Sequence, residues 1–251
     1  MSTQTFELLI LGSSAATPTA NRNPTAQLLN IAERFFLIDC GEGTQMQMRK
    51  YKARFQSVNR IFISHLHGDH FYGLPGFLAS MHLLGRKNEL TIYGPKELEE
   101  IITMLHKHSD TYLNYPLKFV YTQNANKQLI FEDEKVEVFS IPLKHRIATT
   151  GYLFKEKPLL RNVDKYKLEK MNVSFAEIHK LKQGLDALDN NGNLIKNEEL
   201  TLEPVKQRSY AFCSDTKFFE ELANDIKDVD LLYHESTFLE EKADRAKQTF
   251  H

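Results

Sequence analysis

The sequence has no tryptophan, only two cysteines, and no apolar run long enough to cross a bilayer. A single pair of cysteines, Cys40 and Cys213, does not make the disulfide framework of a small secreted domain. A transmembrane helix needs about 20 consecutive apolar residues, so we expect no membrane partner. The start of the chain also lacks the cationic segment of a signal peptide. These absences predict a cytoplasmic protein in which both cysteines are buried thiols.

An excess of charge of one sign is also missing, because 32 basic residues oppose 33 acidic residues and the formal net charge is −1. This balance excludes a chain that is basic throughout, although it leaves room for a local basic patch. The 251 residues are 41% hydrophobic and 26% charged, which argues against disorder and is enough to bury a core. This length fits one large domain or two small ones.

Short apolar strands that end in small, acidic or imidazole residues recur along the chain. The predicted strands are 6–11, 35–38, 61–63, 136–141, 210–212 and 231–233. Helix-like stretches lie between several of them, at 44–54, 74–84 and 95–109. This alternation predicts an α/β fold in which helices pack outside a sheet. Because sheet enzymes commonly hold their sites at strand ends, we expect the functional groups there.

The segment His65-Leu66-His67-Gly68-Asp69-His70 directly follows one of these strands. Residues two apart in an extended segment project to the same side, so His65 and His67 can bind one metal ion. We expect a sharp turn at Gly68 that lets Asp69 and His70 face a second ion. Imidazole and carboxylate donors suit Zn²⁺ or a similar divalent ion.

Four ligands from one loop do not complete two coordination spheres, so further ligands are needed from other strand ends. His145 in PLKHR and Asp215 in CSDT occupy such positions, and a carboxylate such as Asp215 can bridge two cations. A lone histidine such as His145 is more often structural, but its position after a strand favours a ligand. Asp39 in LIDCGEG is either a ligand or the hydrogen-bond partner of a ligating imidazole, and we favour the supporting role.

A pair of close metal ions acidifies a bound water and stabilises a leaving oxygen, so this constellation indicates a hydrolase. The ligand pattern alone does not choose between a phosphodiester, a lactam and a thioester as the substrate.

Taken together, these motifs resemble the metallo-β-lactamase superfamily and, within it, the ribonuclease Z (tRNase Z) family. The resemblance runs over nearly the entire chain and includes LGSSAATPTANRNPTA, LIDCGEGTQMQ, ISHLHGDHFYGLPG, PLKHR, CSDT and HESTF. It implies a single domain over residues 1–251 with the fold of a four-layer αβ/βα sandwich, and an endonuclease that removes the 3′ trailer from precursor tRNA. It also implies a homodimer with two Zn²⁺ per subunit, or Mn²⁺ in their place.

The resemblance assigns roles to individual residues of this chain. One implied zinc is held by His65, His67 and His145, the other by Asp69 and His70, with Asp215 between them.

Three residues are implied to take part in the chemistry itself. Asp69 is the implied general base, His251 the implied proton donor to the leaving group, and His234 a residue that supports His251. Without the resemblance, His234 and His251 would be interpreted equally well as ordinary histidines. The family pattern continues past His251 with a helix and a strand ending in T-H-x-S, so we expect the C-terminal part of the fold, and one ligand of the second zinc, to be missing from this chain.

Residues 144–182 carry ten Lys and Arg against four Asp and Glu, a net charge of +6. We expect an arm inserted at about 155–205 that binds phosphates of the substrate. The alternative is a solvated lysine-rich helix without a ligand. Lys165, Lys167 and Lys170 are the candidate substrate-binding residues of this arm. Lys144 and Arg146 lie in PLKHR, and its resemblance to the P-x-K-x-R loop of the family implies that they contact the end of the acceptor stem.

Two other functions stay open at this point. A hydrolase of the same superfamily that acts on a small phosphodiester or ester explains the metal ligands but not the basic segment. A catalytically inactive RNA-binding homologue is supported only by the missing C-terminal ligand.

Overall fold

The structure is a computed structural model that describes residues 4–122, 125–171 and 173–251. The chain divides into two compact units. Residues 156–207 form one unit, and the described residues of 4–155 together with 208–251 form the other.

The first half of the larger unit is a six-stranded sheet with helices on one face. Its strands, in spatial and chain order, are β1 (Phe6–Gly12), β2 (Ala26–Ile31), β3 (Arg34–Ile38), β4 (Val58–Phe62), β5 (Leu90–Gly94) and β6 (Leu117–Tyr121). Strands β1, β2 and β3 pair antiparallel with one another. From β3 onward, each strand pairs parallel with the next, through β4 and β5 to β6. The helices are α1 (Thr44–Lys50), α2 (Gly68–Phe71), α3 (Leu74–Leu83) and α4 (Glu97–His108), and a short 3₁₀ helix covers Phe55–Ser57.

Three strands then begin a second sheet before the chain enters the smaller unit. These strands are β7 (Gln128–Glu132), β8 (Val136–Leu143) and β9 (Thr149–Glu156). The smaller unit, which we call the arm unit, contains β10 (Asn162–Val163), α5 (Lys165–Met171), α6 (Phe175–Lys182), β11 (Ala187–Leu188), β12 (Leu194–Ile195), α7 (Asn197–Leu200) and β13 (Thr201–Leu202).

The arm unit has a small core of its own, made by Leu181, Ala187, Ile195 and Leu200. The arm unit overlaps the segment that was predicted as an inserted arm at about 155–205. That residues 1–251 form one domain stays a prediction. Nine basic and nine acidic residues make residues 156–207 neutral as a whole. The net positive charge of residues 144–182 therefore comes from the beginning of the arm unit and from the residues that precede it.

The chain returns to the larger unit with β14 (Ser209–Cys213), α8 (Glu221–Asp225), β15 (Leu231–His234), a short 3₁₀ helix at Glu240–Lys242 and α9 (Ala243–Thr249). The second sheet has the order β15-β14-β9-β8-β7. Strand β14 pairs parallel with β15 and antiparallel with β9.

Aromatic side chains fill the space between the two sheets. Phe36 and Phe62 of the first sheet contact Phe154 of the second, and the Phe62 ring also packs edge-on against Tyr152. These side chains are fully buried, and each such burial stabilises the fold by roughly 1.5–3 kcal/mol. Helix α3 covers the outer face of the first sheet, and Leu222 of α8 joins an apolar cluster on the second. The predicted four-layer αβ/βα sandwich is confirmed.

The six strands and three helices predicted from the sequence all occur, with ends shifted by a few residues. Other strands of the two large sheets, among them β2, were not predicted. All six residues of β2 are buried, but Gln27 and Asn30 interrupt its apolar run, so its sequence lacks both the alternation of a half-buried strand and the uniform apolarity of a buried one.

Cys40 and Cys213 are both buried and free, as predicted. Burial raises the pKa of the Cys213 thiol to about 12, so this thiol is protonated and unreactive at neutral pH. Among the described residues, the helices are too short or too polar to cross a bilayer.

Candidate metal centre

Four strand ends of the larger unit bring the predicted ligands together. Asp39 follows β3, the segment Ser64–His70 follows β4, His145 follows β8, and Asp215 follows β14. Because β3 and β4 are parallel neighbours, their carboxyl ends lie at the same edge of the sheet, which is where α/β proteins commonly bind ligands.

Three imidazoles converge at this edge. His65 Nε2 lies 3.0 Å from His67 Nδ1, which in turn lies 3.3 Å from His145 Nε2. The carboxylate of Asp215 approaches the same point, with Oδ2 at 3.6 Å from His65 Nε2 and 4.0 Å from His145 Nε2. One donor atom from each of these four residues lies within 4.8 Å of all the others.

This spacing fits a divalent metal ion. Tetrahedral ligands about 2.0–2.1 Å from a zinc ion are about 3.3 Å from one another, which is close to the observed separations. Three nitrogen donors and a carboxylate are also a donor set that zinc accepts. The residues present therefore fit a bound metal at this position.

Asp215 faces two groups of donors at once. Its Oδ2 points to His65 and His145, whereas its Oδ1 lies 3.7 Å from Nε2 of His70. The same His70 nitrogen lies 3.4 Å from Oδ2 of Asp69. The two carboxylate oxygens of Asp215 thus face the two predicted sets of ligands, which is the placement that a bridging carboxylate requires.

Asp39 lies behind His70 and away from the converging donors. Its Oδ2 is 2.7 Å from His70 Nδ1, and its two oxygens accept hydrogen bonds from the backbone N–H and the hydroxyl of Ser64 at 2.8 and 3.0 Å. Because the carboxylate accepts a hydrogen bond from the Nδ1–H of His70, Nε2 is the nitrogen of this ring that is left to bind a ligand.

Burial lowers the pKa of His65, whereas at His70 the carboxylate of Asp39 outweighs the effect of burial on the pKa. Desolvation and the neighbouring imidazoles lower the pKa of His65, so its ring is neutral and its nitrogen is ready to bind a metal. Burial also opposes the charged form of His70, but the charge and hydrogen bond of Asp39 outweigh it and raise the pKa of His70 to about 10. A metal ion at His70 Nε2 would take the place of the proton that Asp39 otherwise stabilises.

Glycines allow the loop to pack closely against its surroundings. A Cβ at Gly41 would lie 2.4 Å from the carbonyl oxygen of Asp69, so a side chain there would push the loop out of place. Gly68 begins helix α2, and its lack of a side chain makes room for the ring of Tyr72, which would lie 2.2 Å from a Cβ. Asp69 is held by the backbone N–H of Ala16, which donates to Oδ2 at 3.0 Å.

The C-terminal residues contact the cluster through two hydrogen bonds. His145 Nδ1 donates to the carbonyl oxygen of Phe250 at 3.0 Å, which leaves the Nε2 lone pair pointing to the cluster. His251 Nδ1 donates to Oε1 of Glu235 at 2.8 Å, and the ring of His251 lies 5.0 Å from that of His145. Asp215, Glu235 and His251 form a second group whose donor atoms lie within 4.8 Å of one another.

His234, predicted to support His251, is exposed and donates from Nδ1 to the backbone oxygen of Glu235, and it lines a small cavity together with His251. Its neighbour Glu235 makes the contact with His251. Glu235 also accepts a hydrogen bond from the backbone N–H of Thr216 at 2.7 Å, which ties it to the loop that carries Asp215.

The predicted substrate-binding residues have varied surroundings. Lys144 pairs with Glu221 at 3.3 Å, whereas Arg146, beside His145, is exposed. In the arm unit, Lys167 donates to the backbone oxygen of Glu199, and the other two predicted lysines, Lys165 and Lys170, are exposed.

Sequence reasoning missed two residues that organise the site, Ser64 and Glu235. The Ser64 hydroxyl lies within hydrogen-bond distance of Asp39, His65 and Ser214. Serine is too common at strand ends to signal such a role. Glu235 stands inside the HESTF motif, and that position was the signal available for it.

Comparison with solved structures defines the class of protein. The chain superposes on human tRNase Z, short form, with a TM-score of 0.69 and 25% identity, covering 97% of this chain and 83% of that one. It also superposes on the metallo-β-lactamase fold protein YhfI of Bacillus subtilis with a TM-score of 0.60 and 14% identity, covering 97% and 76% of the two chains. The sandwich and its histidine–aspartate cluster define a metallo-β-lactamase fold protein with a metal-binding site.

Sequence comparison identifies the family within that class. The ribonuclease Z of Cytophaga hutchinsonii is 50% identical over 247 residues, which cover 98% of this chain and 79% of the relative. The chain belongs to the ribonuclease Z family, and through residues 6–149 it also belongs to the family whose model is described as anti-Pycsar protein Apyc1. The resemblance inferred from the motifs is confirmed.

Proposed function

We propose that this protein is a metal-dependent endoribonuclease that removes the 3′ trailer from precursor tRNA and leaves a 3′-hydroxyl on the tRNA. The observation that carries the proposal is the convergence of three imidazoles on Asp215, in a chain that is 50% identical to a ribonuclease Z over nearly its whole length. The solved relative named as a tRNase Z supports tRNA as the substrate.

Two Zn²⁺ ions per subunit are part of the proposal, with Mn²⁺ as the alternative. We assign His65, His67 and His145 to one ion, Asp69 and His70 to the other, and Asp215 to both. When bound, such a pair of ions acidifies a water molecule and neutralises charge on a phosphate.

The side chains around the ions move the protons. In the proposed reaction a water oxygen bonds to phosphorus, the bond from phosphorus to O3′ breaks, and the phosphate stays on the trailer. Asp69 takes the proton of the water, and the N–H of Ala16 keeps its carboxylate in position. His251 gives a proton to O3′, and because its Nδ1 is engaged by Glu235 at 2.8 Å, Nε2 is the atom assigned to donate that proton.

A cleavage assay tests the proposal directly. A transcript that carries a tRNA with a 3′ trailer is expected to be cut once, close to the 3′ end of the acceptor stem, and to give a trailer with a 5′-phosphate. Chelation is expected to stop the reaction, and added Zn²⁺ or Mn²⁺ to restore it. Hydrolysis of bis(p-nitrophenyl) phosphate without any cut in the transcript would instead favour a hydrolase of small phosphodiesters, and loss of both activities an inactive RNA-binding homologue.

Phosphate binding by the arm unit gives a second test. Replacing Lys165, Lys167 and Lys170 with glutamate is expected to raise KM for precursor tRNA by about tenfold or more, because each lysine that no longer binds a phosphate removes electrostatic attraction. The slope of log affinity against log salt concentration is expected to fall by roughly 0.7–0.9 for each phosphate that the variant no longer neutralises. Hydrolysis of bis(p-nitrophenyl) phosphate should not change, since this substrate is too small to need the arm unit.

A matched variant controls for net charge. Lys87, Lys107 and Lys118 are exposed lysines of the larger unit, and their replacement with glutamate changes the net charge by the same amount. This control is expected to leave KM for precursor tRNA within about twofold of the wild type. Equal effects of the two triple variants would show that the arm lysines are a solvated face and that the phosphate-binding role is wrong.

Two further statements complete the proposal. The family resemblance supports a homodimer, which light scattering of the purified protein measures directly. A precursor RNA substrate and two reduced cysteines support a cytoplasmic location, which fractionation of cells measures.

A further inference from the structure

The hydroxyl of Ser64 lies at the centre of a buried group of polar side chains behind the candidate metal ligands. Ser64, Asp39 and His65 are all fully buried. The Oγ atom of Ser64 lies 3.0 Å from Oδ2 of Asp39 and 3.0 Å from Nδ1 of His65. It lies farther, at 3.3 and 3.4 Å, from the hydroxyl of Ser214 and from Nδ1 of His70. One hydroxyl therefore connects a buried carboxylate to an imidazole that we assign to a metal ion.

Backbone contacts from both sheets hold this hydroxyl in place. Ser64 follows β4 of the first sheet, and its N–H donates to Oδ1 of Asp39 at 2.8 Å. Its carbonyl oxygen accepts a hydrogen bond from the N–H of Thr150 on β9 of the second sheet at 3.0 Å. The carbonyl oxygen of Ile63 accepts a hydrogen bond from the hydroxyl of Tyr152, also on β9, at 2.7 Å. The backbone at Ser64 is thus fixed on two sides.

A count of protons gives each of these hydrogen bonds a direction. A serine hydroxyl has one proton to donate and two lone pairs with which to accept, whereas an ionised carboxylate only accepts. Because a charged acceptor forms the stronger hydrogen bond, the proton of Ser64 goes to Asp39. The oxygen of Ser64 then presents a lone pair to His65, so Nδ1 of His65 carries the proton between them. The Nε2 lone pair of His65 is left for a metal ion.

Asp39 consequently supports two imidazoles that we assign to different ions. Its Oδ2 accepts a hydrogen bond directly from Nδ1 of His70 at 2.7 Å. The same oxygen accepts the proton of Ser64, whose oxygen in turn accepts the Nδ1 proton of His65. The ring centres of His65 and His70 are 4.1 Å apart. One buried carboxylate therefore orients a ligand of each ion, one directly and the other through a hydroxyl.

We propose that Ser64 is a positioning residue of the metal centre, which links Asp39 to His65 and keeps Nε2 of His65 free to bind its ion. This inference rests on the proposed function and extends it to a residue that touches neither metal nor substrate. It makes a distinction between two supporting groups. Loss of the Ser64 hydroxyl should weaken the ion of His65 alone, whereas loss of the Asp39 carboxylate should weaken both ions.

Nitrogen NMR of the metal-free protein tests the hydrogen-bond directions without any catalysis. With ¹⁵N-labelled histidine, the wild type is expected to show His65 with its proton on Nδ1, and a His65→Gln variant identifies the signals of this ring. In Ser64→Ala, Nδ1 of His65 loses its acceptor, so its signals are expected to move toward those of the form protonated on Nε2. His70 still donates to Asp39 in this variant and is expected to keep its signals.

A metal titration tests the consequence at each ion. Affinity for Zn²⁺ is measured by competition with a chelating dye in two backgrounds, His70→Ala, which keeps the ion of His65, and His145→Ala, which keeps the ion of His70. Adding Ser64→Ala is expected to lower the affinity by about 10–100-fold in the first background, the usual effect of losing such a supporting group, and to leave it unchanged in the second. Adding Asp39→Asn is expected to lower the affinity in both.

A matched variant separates the loss of this contact from a loss of stability. Ser209 is another buried serine whose hydroxyl donates to a carboxylate, that of Asp230 at 2.9 Å, and it begins β14 at the end away from the metal ligands. Ser209→Ala is expected to lower Tm but to keep the Zn²⁺ affinity and the His65 signals of the wild type. Ser64→Thr retains a hydroxyl and is expected to retain both of these properties as well.

The outcomes that overturn the inference differ from those that overturn the proposed function. His65 signals that are the same in the wild type and in Ser64→Ala, or an equal loss of Zn²⁺ affinity in the two backgrounds, would show that Ser64 does not position His65. Cleavage of precursor tRNA by the wild type would stand in either case. If the wild type binds no Zn²⁺, the proposed metal centre fails and the inference falls with it.

Discussion

Replacing Asp215 with asparagine is expected to lower cleavage of precursor tRNA by at least about a thousandfold, equivalent to about 4 kcal/mol of transition-state stabilisation. The reason is that the two oxygens of Asp215 face different donors, His65 and His145 on one side and His70 on the other. Asparagine keeps the volume of the side chain but supplies only one oxygen and no negative charge. Metal analysis of the purified variant is expected to show less than one ion per subunit.

A matched substitution separates this effect from a general loss of stability. Asp110 is an exposed aspartate of the larger unit, and Asp110→Asn makes the same chemical change away from the cluster. The control is expected to keep wild-type metal content and activity. Asp215→Asn with two bound ions and normal cleavage would contradict the bridging role and remove Asp215 from the proposed centre.

Replacing His251 with asparagine is expected to lower cleavage of precursor tRNA by roughly 10²–10⁴-fold, the usual contribution of a general acid. Its ring is held by Glu235, so Glu235→Gln is expected to act in the same direction but less strongly. A substrate with sulfur in place of the leaving O3′ gives a direct check. A thiol has a pKa of about 8.5, so its thiolate leaves without a proton, and the deficit of the variant should shrink to less than about tenfold.

Metal content distinguishes a His251 that donates a proton from a His251 that binds a metal ion, a role that the geometry also allows. Asp215, Glu235 and His251 are close enough to hold an ion themselves. If His251 donates a proton, the metal content of His251→Asn equals that of the wild type and only the oxygen substrate is affected. A variant that loses an ion and cuts both substrates equally slowly would show that His251 is a ligand instead.

The parts of this protein that were predictable are those set by local pattern. The strands β1, β3, β4, β8, β14 and β15 are short runs rich in apolar residues, and each is followed by small, acidic or imidazole residues. The spacing of His65, His67, Asp69 and His70 is equally local, since a backbone with fixed geometry determines where neighbours two residues apart point.

Contacts between distant residues were not predictable in the same way. His145 hydrogen-bonds the backbone of Phe250, 105 residues further along the chain, and Ser64 reaches the hydroxyl of Ser214 over a separation of 150 residues. A backbone carbonyl carries no signature in the sequence. Nor does the sequence indicate which of two adjacent residues, His234 or Glu235, turns toward His251, because that depends on how the end of β15 packs.

The sequence by itself determined the kind of chemistry, since the imidazole and carboxylate donors and their spacing specify a metal site and their motifs specify the family. The tertiary structure decided the arrangement that makes this chemistry workable. Only the packing of the two sheets turns the two oxygens of Asp215 toward different donors and places Asp39 behind His70. The physical reason is that covalent spacing constrains neighbours in the chain, whereas the meeting of separate strand ends depends on burying the aromatic core between the sheets.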